Sequence, residues 1–154
     1  MIPNIIKNMA LSPTVLKSYL GLDESLSEGV LGPKLREKLA LTIAQAHKNE
    51  YCLAIHVALG KSLGLSADEI MDARRGSSPD TRTDAVLRFV RSLLETNGPI
   101  PESGLHRLEK AGFVQAEIGE ILAHISLNLF TNFYTEVMKP PLDFPRVDPL
   151  PENG

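Results

Sequence analysis

Apolar positions recur along most of the chain at three- and four-residue intervals, the spacing of a helix with one buried face. Runs that alternate apolar and polar residues are missing, and β-branched clusters are sparse, so strands are not expected. Ser12 followed by Pro13 reads as an N-cap and first helical position, opening a helix through Tyr19 and Leu20. Pro33 opens a second, PKLREKLALTIAQAHK, in which Leu35, Leu39, Ile43 and Ala46 share a face. A third covers EYCLAIHVALGKSL and stops at Gly64, with Cys52, Ile55, His56, Leu59 and Leu63 in one stripe. Ser66 and Glu69 form a capping-box pair at the head of SADEIMDARR. A break at Gly76–Pro79 precedes a helix from about Asp80 to Thr96, with Val86, Val90, Leu93 and Leu94 inward. NGPIP reads as a turn, ESGLHRLEKA as a short helix closed by Gly112, and Gln115 to Met138 as the longest helix.

That last helix carries two apolar stripes: Ile118, Leu122, Ile125, Leu129 and Phe133, and Leu127, Phe130, Tyr134 and Met138. So broad an apolar surface predicts a central place in the core or in a subunit interface, and a homo-oligomer is expected. The tail from residue 139 to 154 holds five of the eleven prolines and cannot be helical. The pattern predicts an all-α, single-domain bundle of about six to seven helices spanning residues 1–154, with a Pro-rich tail.

Composition narrows the function. With 154 residues and 43% hydrophobic residues, the chain can bury a core without disulfides or metals. The formal net charge of −3 and the absence of Trp argue against nucleic-acid partners. A single cysteine excludes an internal disulfide and disfavours a structural zinc site. The N-terminus lacks the features of a signal peptide, and no run is apolar enough to span a membrane. A cytoplasmic protein is expected, without cofactor or membrane partner.

Chemistry concentrates in Arg36-Glu37 and HKNEYCLAIH. Cys52 and His56, four apart on a helix, share a face, and an imidazole beside a thiol can take its proton. Asn49 is a favourable N-cap; the helix start it marks favours a thiolate, while Glu50 opposes it. Glu37 can join them only if the chain reverses near Asn49. An antiparallel helix pair then leaves Glu37 and His56 about 7 Å apart along the axis, close enough for the carboxylate to orient the imidazole. Glu120 and His124, four apart on the last helix, could hold a metal or polar ligand, but no HExxH accompanies them. His47 and His106 read as surface residues, and Arg74-Arg75 as cations suited to a helix C-terminus.

The order Glu37, eleven residues, Asn49, two residues, Cys52, three residues, His56 resembles the core of the AhpD-like and carboxymuconolactone decarboxylase superfamily, Glu-x11-Cys-x-x-Cys-x3-His. Arg36-Glu37, Tyr51-Cys52 and the terminal NLFTNFYTEVMKPPLDFPRV add to the likeness. The resemblance implies a helical fold assembled as trimers or hexamers. In the AhpD-like branch it implies hydroperoxide reduction by two thiols that a lipoyl-type dithiol restores. It makes Cys52 the peroxide-facing thiol, His56 its base and Glu37 the relay carboxylate, all three catalytic. Tyr51 stands where the family often has a second His. Asn49 replaces the first Cys, so a sulfenate on Cys52 would need an external thiol. The leading expectation is a one-cysteine alkylhydroperoxidase-like antioxidant protein acting on a small hydroperoxide. The alternatives are an acid–base enzyme acting on a lactone-type acid through Glu37 and His56, and a non-catalytic oligomeric binding scaffold. A cationic anchor for an acid cannot be assigned from spacing alone.

Overall fold

In the computed structural model, which describes residues 1–96, 100 and 102–152, eight α-helices and no strand are found among the described residues. They are α1 (Asn4–Met9), α2 (Pro13–Ser27), α3 (Pro33–Ala46), α4 (Glu50–Ser62), α5 (Ala67–Arg74), α6 (Thr81–Thr96), α7 (Glu102–Lys110) and α8 (Gln115–Met138). The all-α expectation holds, and several helix starts follow from their caps. Ser12 accepts from the Val15 backbone at α2, and Ser66 and Glu69 close a reciprocal capping box at α5. Gly64 and Gly112, which end α4 and α7, take positive φ, the left-handed conformation that only glycine adopts freely. The NGPIP turn falls largely on positions outside the described residues.

The bundle is built around α3. Leu39 to Ala44 are buried without interruption, so α3 meets partners on every side: α4, α5, α6 and α8. Thr42 is tolerated there because its hydroxyl donates to the Lys38 and Ala73 carbonyls at 3.0 and 2.7 Å. The helix ends at Ala46, two residues before the predicted end, because Lys48 turns to φ 51°. The Asn49 N–H then donates to the Ala44 carbonyl and the Lys48 N–H to that of Gln45, a Schellman reversal. That turn lays α4 antiparallel to α3.

Three features depart from the pattern read along the chain. The first is α1, whose six residues are too few for a periodicity to show. It forms because Ile5 and Met9 bury one face against Tyr51. Its exposed N–H groups are met from far away. The Asp143 carboxylate accepts from Asn4 N at 3.1 and 3.0 Å, and the Tyr51 hydroxyl accepts from Ile5 N at 3.0 Å.

The second is α8. Ile118 and Ile125 are buried as expected, but Leu122 and Phe133 of the same stripe are exposed, as are Phe130 and Met138 of the other. In its second half the inward face is polar instead: Asn128, Thr131, Asn132 and Thr135. Their side chains satisfy themselves largely on the helix's own carbonyls, which lets polar groups line the interior.

The third is the tail. It is non-helical as expected, yet it is held as a strap. Arg146 pairs with Glu50 at 2.6 Å, the Asp148 carbonyl accepts from Arg74 at 2.6 Å, and Val147 packs against the cluster of Ala44, Cys52 and Leu53. Arg74 is accordingly buried rather than solvated at its helix end, and its Nε and Nη2 also donate to Gln45 Oε1. No helix among the described residues is long and apolar enough to cross a membrane.

Candidate active site

The reversal between α3 and α4 positions the site. Asn49 is the N-cap of α4, its Oδ1 accepting from Cys52 N at 2.8 Å. It is also 3% exposed. Its amide donates to the Asn132 carbonyl and to Thr135 Oγ1, both at 3.0 Å. The residue standing in place of a family cysteine therefore ties the start of α4 to the polar seam of α8.

Cys52 follows on the first turn, 1% exposed. Its Sγ lies 3.6 Å from Thr135 Oγ1, and no hydrogen bond joins it to His56. Burial pushes the thiol up to about 11, with Thr135 and Thr131 only partly countering. The expectation of a thiolate favoured by His56 and the helix start is not met. Desolvation, which penalises the charged form, is the largest influence on the thiol in this interior position.

One turn on, His56 Nδ1 meets Glu37 Oε2 at 2.8 Å, with the two side chains 17% and 16% exposed. The expected meeting across the helix pair is formed. With the carboxylate on Nδ1, the imidazole orientation is set and Nε2 is the nitrogen left free of Glu37.

Cys52, His56 and Glu37 line one cavity of about 540 Å³ between α2, α3, α4 and α8, with Met1, Pro3 and Phe144 also on its wall. The size suits a small-molecule site. Much of the wall is apolar, through residues such as Ala40, Ile55, Leu59 and Leu127. Tyr19 also borders it, its phenol pushed up to about 12 by burial and then by the neighbouring charges of Asp23, Cys52 and Glu37. Tyr51, in the position where the resemblance places a histidine, is a brace: its hydroxyl donates to Asp143 Oδ2 at 2.5 Å and fastens the tail beside the cavity.

Two wall residues named in the sequence were not placed in this site by it. Arg36 enters the same cavity, and its buried Nε has no hydrogen-bond partner. This is the cation that spacing could not place: Arg36 and Glu37 are neighbours about 100° apart on a helix, and only a cavity open on several helices reaches both. His124 is 4% exposed with Nε2 unpartnered. Burial first, and then the Arg36 charge, push its imidazole below the usual histidine range, which favours the neutral form. The pair with Glu120 suggested by four-residue spacing is not made, because Glu120 accepts from Val30 N at 2.8 Å. Among the described residues, no group of three His, Cys, Asp or Glu could hold a metal. His47 and His106 lie on the surface, and His47 meets Phe133 edge-on at 5.4 Å.

The fold is shared with several solved proteins. An uncharacterised peroxidase-related protein from Silicibacter sp. TM1040 superposes with a TM-score of 0.84 at 23% identity, over 92% of this chain and 76% of its own. A peroxidase-related protein with an alkylhydroperoxidase AhpD core, from Ralstonia eutropha JMP134, gives 0.78 at 20% identity, over 92% and 78%. The debrominase Bmp8 gives 0.81 at 18% identity, over 93% and 78%; a cysteine-to-alanine variant of that enzyme has been solved with 2,3,4-tribromopyrrole. No curated protein matches the sequence significantly. The family model described as the carboxymuconolactone decarboxylase family matches residues 13–95, more than half of the chain and all of the Glu37–Asn49–Cys52–His56 segment. The chain belongs to the carboxymuconolactone decarboxylase family.

Proposed function

We propose that this protein is a thiol-dependent hydroperoxide reductase that works with one reactive cysteine. The observation carrying the reading is that the only thiol of the chain and a carboxylate-oriented imidazole border one cavity of small-molecule size. Cys52 is the nucleophile, His56 the base and Glu37 the group that holds the imidazole. The thiol rests protonated, so His56 takes its proton as the peroxide enters. Sulfur then attacks the outer oxygen, the O–O bond breaks, and the proton passes to the leaving alkoxide. The products are a Cys52 sulfenic acid and an alcohol, with sulfur oxidised and the peroxide reduced. With no second cysteine, an external dithiol of the lipoyl type attacks the sulfenic acid, releases water, and by its second thiol restores Cys52.

The experiment is single-turnover oxidation by cumene hydroperoxide, with dimedone trapping read by mass spectrometry, on wild type and His56→Ala. Wild type should gain one dimedone adduct on Cys52, and His56→Ala should gain it at least tenfold more slowly, the usual scale of a lost general base. A Cys52 unmodified by peroxide would overturn the reading.

The thiol's position favours one second reading. A sulfhydryl pushed up to about 11 and set against threonines is a spectator's environment as well as a nucleophile's. The Glu37–His56 pair would then carry acid–base chemistry alone, on a lactone-type acid. Full activity of Cys52→Ser on such a substrate would establish it.

The proposal includes assembly of identical chains as trimers or hexamers. Support comes from α8, which leaves Leu122, Phe130, Phe133 and Val137 exposed along one side. Aligned apolar side chains of this number ordinarily mark a contact surface.

A further inference from the structure

Arg36 and His124 stand on facing helices, α3 and α8, at the wall of the cavity that holds Cys52. Each carries a buried nitrogen with no hydrogen-bond partner, Nε and Nε2. Buried polar atoms are nearly always paired, so two in one cavity point to a ligand that pairs them. Among the described residues no carboxylate comes within salt-bridge distance of Arg36. Asp23 shares the cavity wall and feels the Arg36 charge, but the two make no salt bridge. A guanidinium offers a planar fork of donors that matches a carboxylate, and a neutral imidazole adds one donor or acceptor.

We propose that Arg36 and His124 form the anion-binding pole of the cavity and hold the carboxylate of a medium-chain organic acid whose other end reaches Cys52. The second half of the statement rests on the reading of Cys52 as the reacting thiol; the anion pole does not. The length follows from α8. Thr131 and Thr135 interact with the thiol, and His124 lies seven residues before Thr131, two turns or about 10 Å along the axis. That span corresponds to roughly eight bonds of an extended carbon chain. The apolar wall between the poles suits such a chain, and a hydroperoxide or other oxidant carried on a carboxylic acid would meet both ends.

Isothermal titration with octanoate, 1-octanol, butyrate and inorganic phosphate tests this on wild type, Arg36→Gln and Arg36→Lys. Wild type should bind octanoate at least tenfold more tightly than 1-octanol or butyrate, and phosphate should not compete. Arg36→Gln should lose at least tenfold for octanoate with 1-octanol unchanged, and Arg36→Lys, which keeps charge without the fork, should fall between. Equal wild-type affinity for octanoate and 1-octanol, no octanoate binding at millimolar concentration, or phosphate competing as well as octanoate would each overturn the proposal. So would an unchanged ratio in Arg36→Gln; if that variant does not fold, the wild-type ratios and Arg36→Lys decide. Octanoate at saturation should also slow alkylation of Cys52, and butyrate should not; equal protection by both would overturn the 10 Å span. A normal octanoate ratio without dimedone labelling would remove the peroxidase reading and leave the anion pole standing.

Discussion

Replacing Asn49 by cysteine would restore the family's pair of thiols, and the structure sets both its cost and its chemistry. The amide caps α4 through Cys52 N and donates to the Asn132 carbonyl and Thr135 Oγ1 from a buried position. Loss of the cap costs about 1 kcal/mol. The two lost donations add about 1 kcal/mol each, softened because Thr135 keeps its own bond to the Thr131 carbonyl at 2.9 Å. The reduced Asn49→Cys protein should be destabilised by about 2–3 kcal/mol, lowering Tm by roughly 4–12 °C for a chain of this size. Residues three apart at a helix start fall within the Cα separation of about 4.4–6.8 Å that a disulfide tolerates, so the 49–52 bond should form under oxidation. The assay is thermal unfolding followed by circular dichroism, with and without reductant. It is followed by peroxide consumption with a dihydrolipoyl reductant, using Asn49→Cys/His56→Ala as control. If turnover of the natural chain is limited by the missing resolving thiol, consumption should rise several-fold above wild type and fall back in the control. A reduced variant that melts within a degree of wild type would refute the role given to the amide. A variant that forms the disulfide yet consumes peroxide no faster would refute the resolution argument and favour the acid–base reading.

Tyr51→Phe removes the donor to Asp143 and leaves the Ile5 N–H without its acceptor; a loss of about 3 kcal/mol is expected, seen as a lower Tm and as release of the tail to limited proteolysis. Because burial holds the folded Cys52 thiol near 11 against an ordinary 9.0, the unfolded chain loses its proton first as pH rises. The associated stability is therefore complete below pH 9 and disappears as pH passes 11. Denaturant unfolding of wild type should show that alkaline loss, and Cys52→Ala should lack it; iodoacetamide alkylation of folded Cys52 should climb about tenfold per pH unit between 8 and 10. Phe133→Glu, on the exposed face of α8, should convert an oligomer to monomer by light scattering with little change in helicity, and a wild type that is monomeric at micromolar concentration would contradict the assembly proposal.

What could be read from the sequence was local. The i, i+4 stripe of Cys52 and His56, the Pro33 and Asn49 punctuation and the 1.5 Å rise per residue suffice to bring Glu37 to His56, because the short helix–turn–helix leaves little conformational choice. The caps of α2 and α5 were legible for the same reason. Tertiary structure decided whatever depended on distant partners or on solvent exclusion. The helix α1 exists because Asp143, 139 residues on, meets its first N–H. The inner face of α8 turned out to be polar where an apolar stripe was read, since packing against α3 and Asn49 chose which side faced in. Arg36 and His124 became a pair only when α3 and α8 were laid together. The ionisation of Cys52 followed depth of burial, which no spacing records: nearby residues pull a thiol's pKa by increments, but removal from water acts on the charge as a whole.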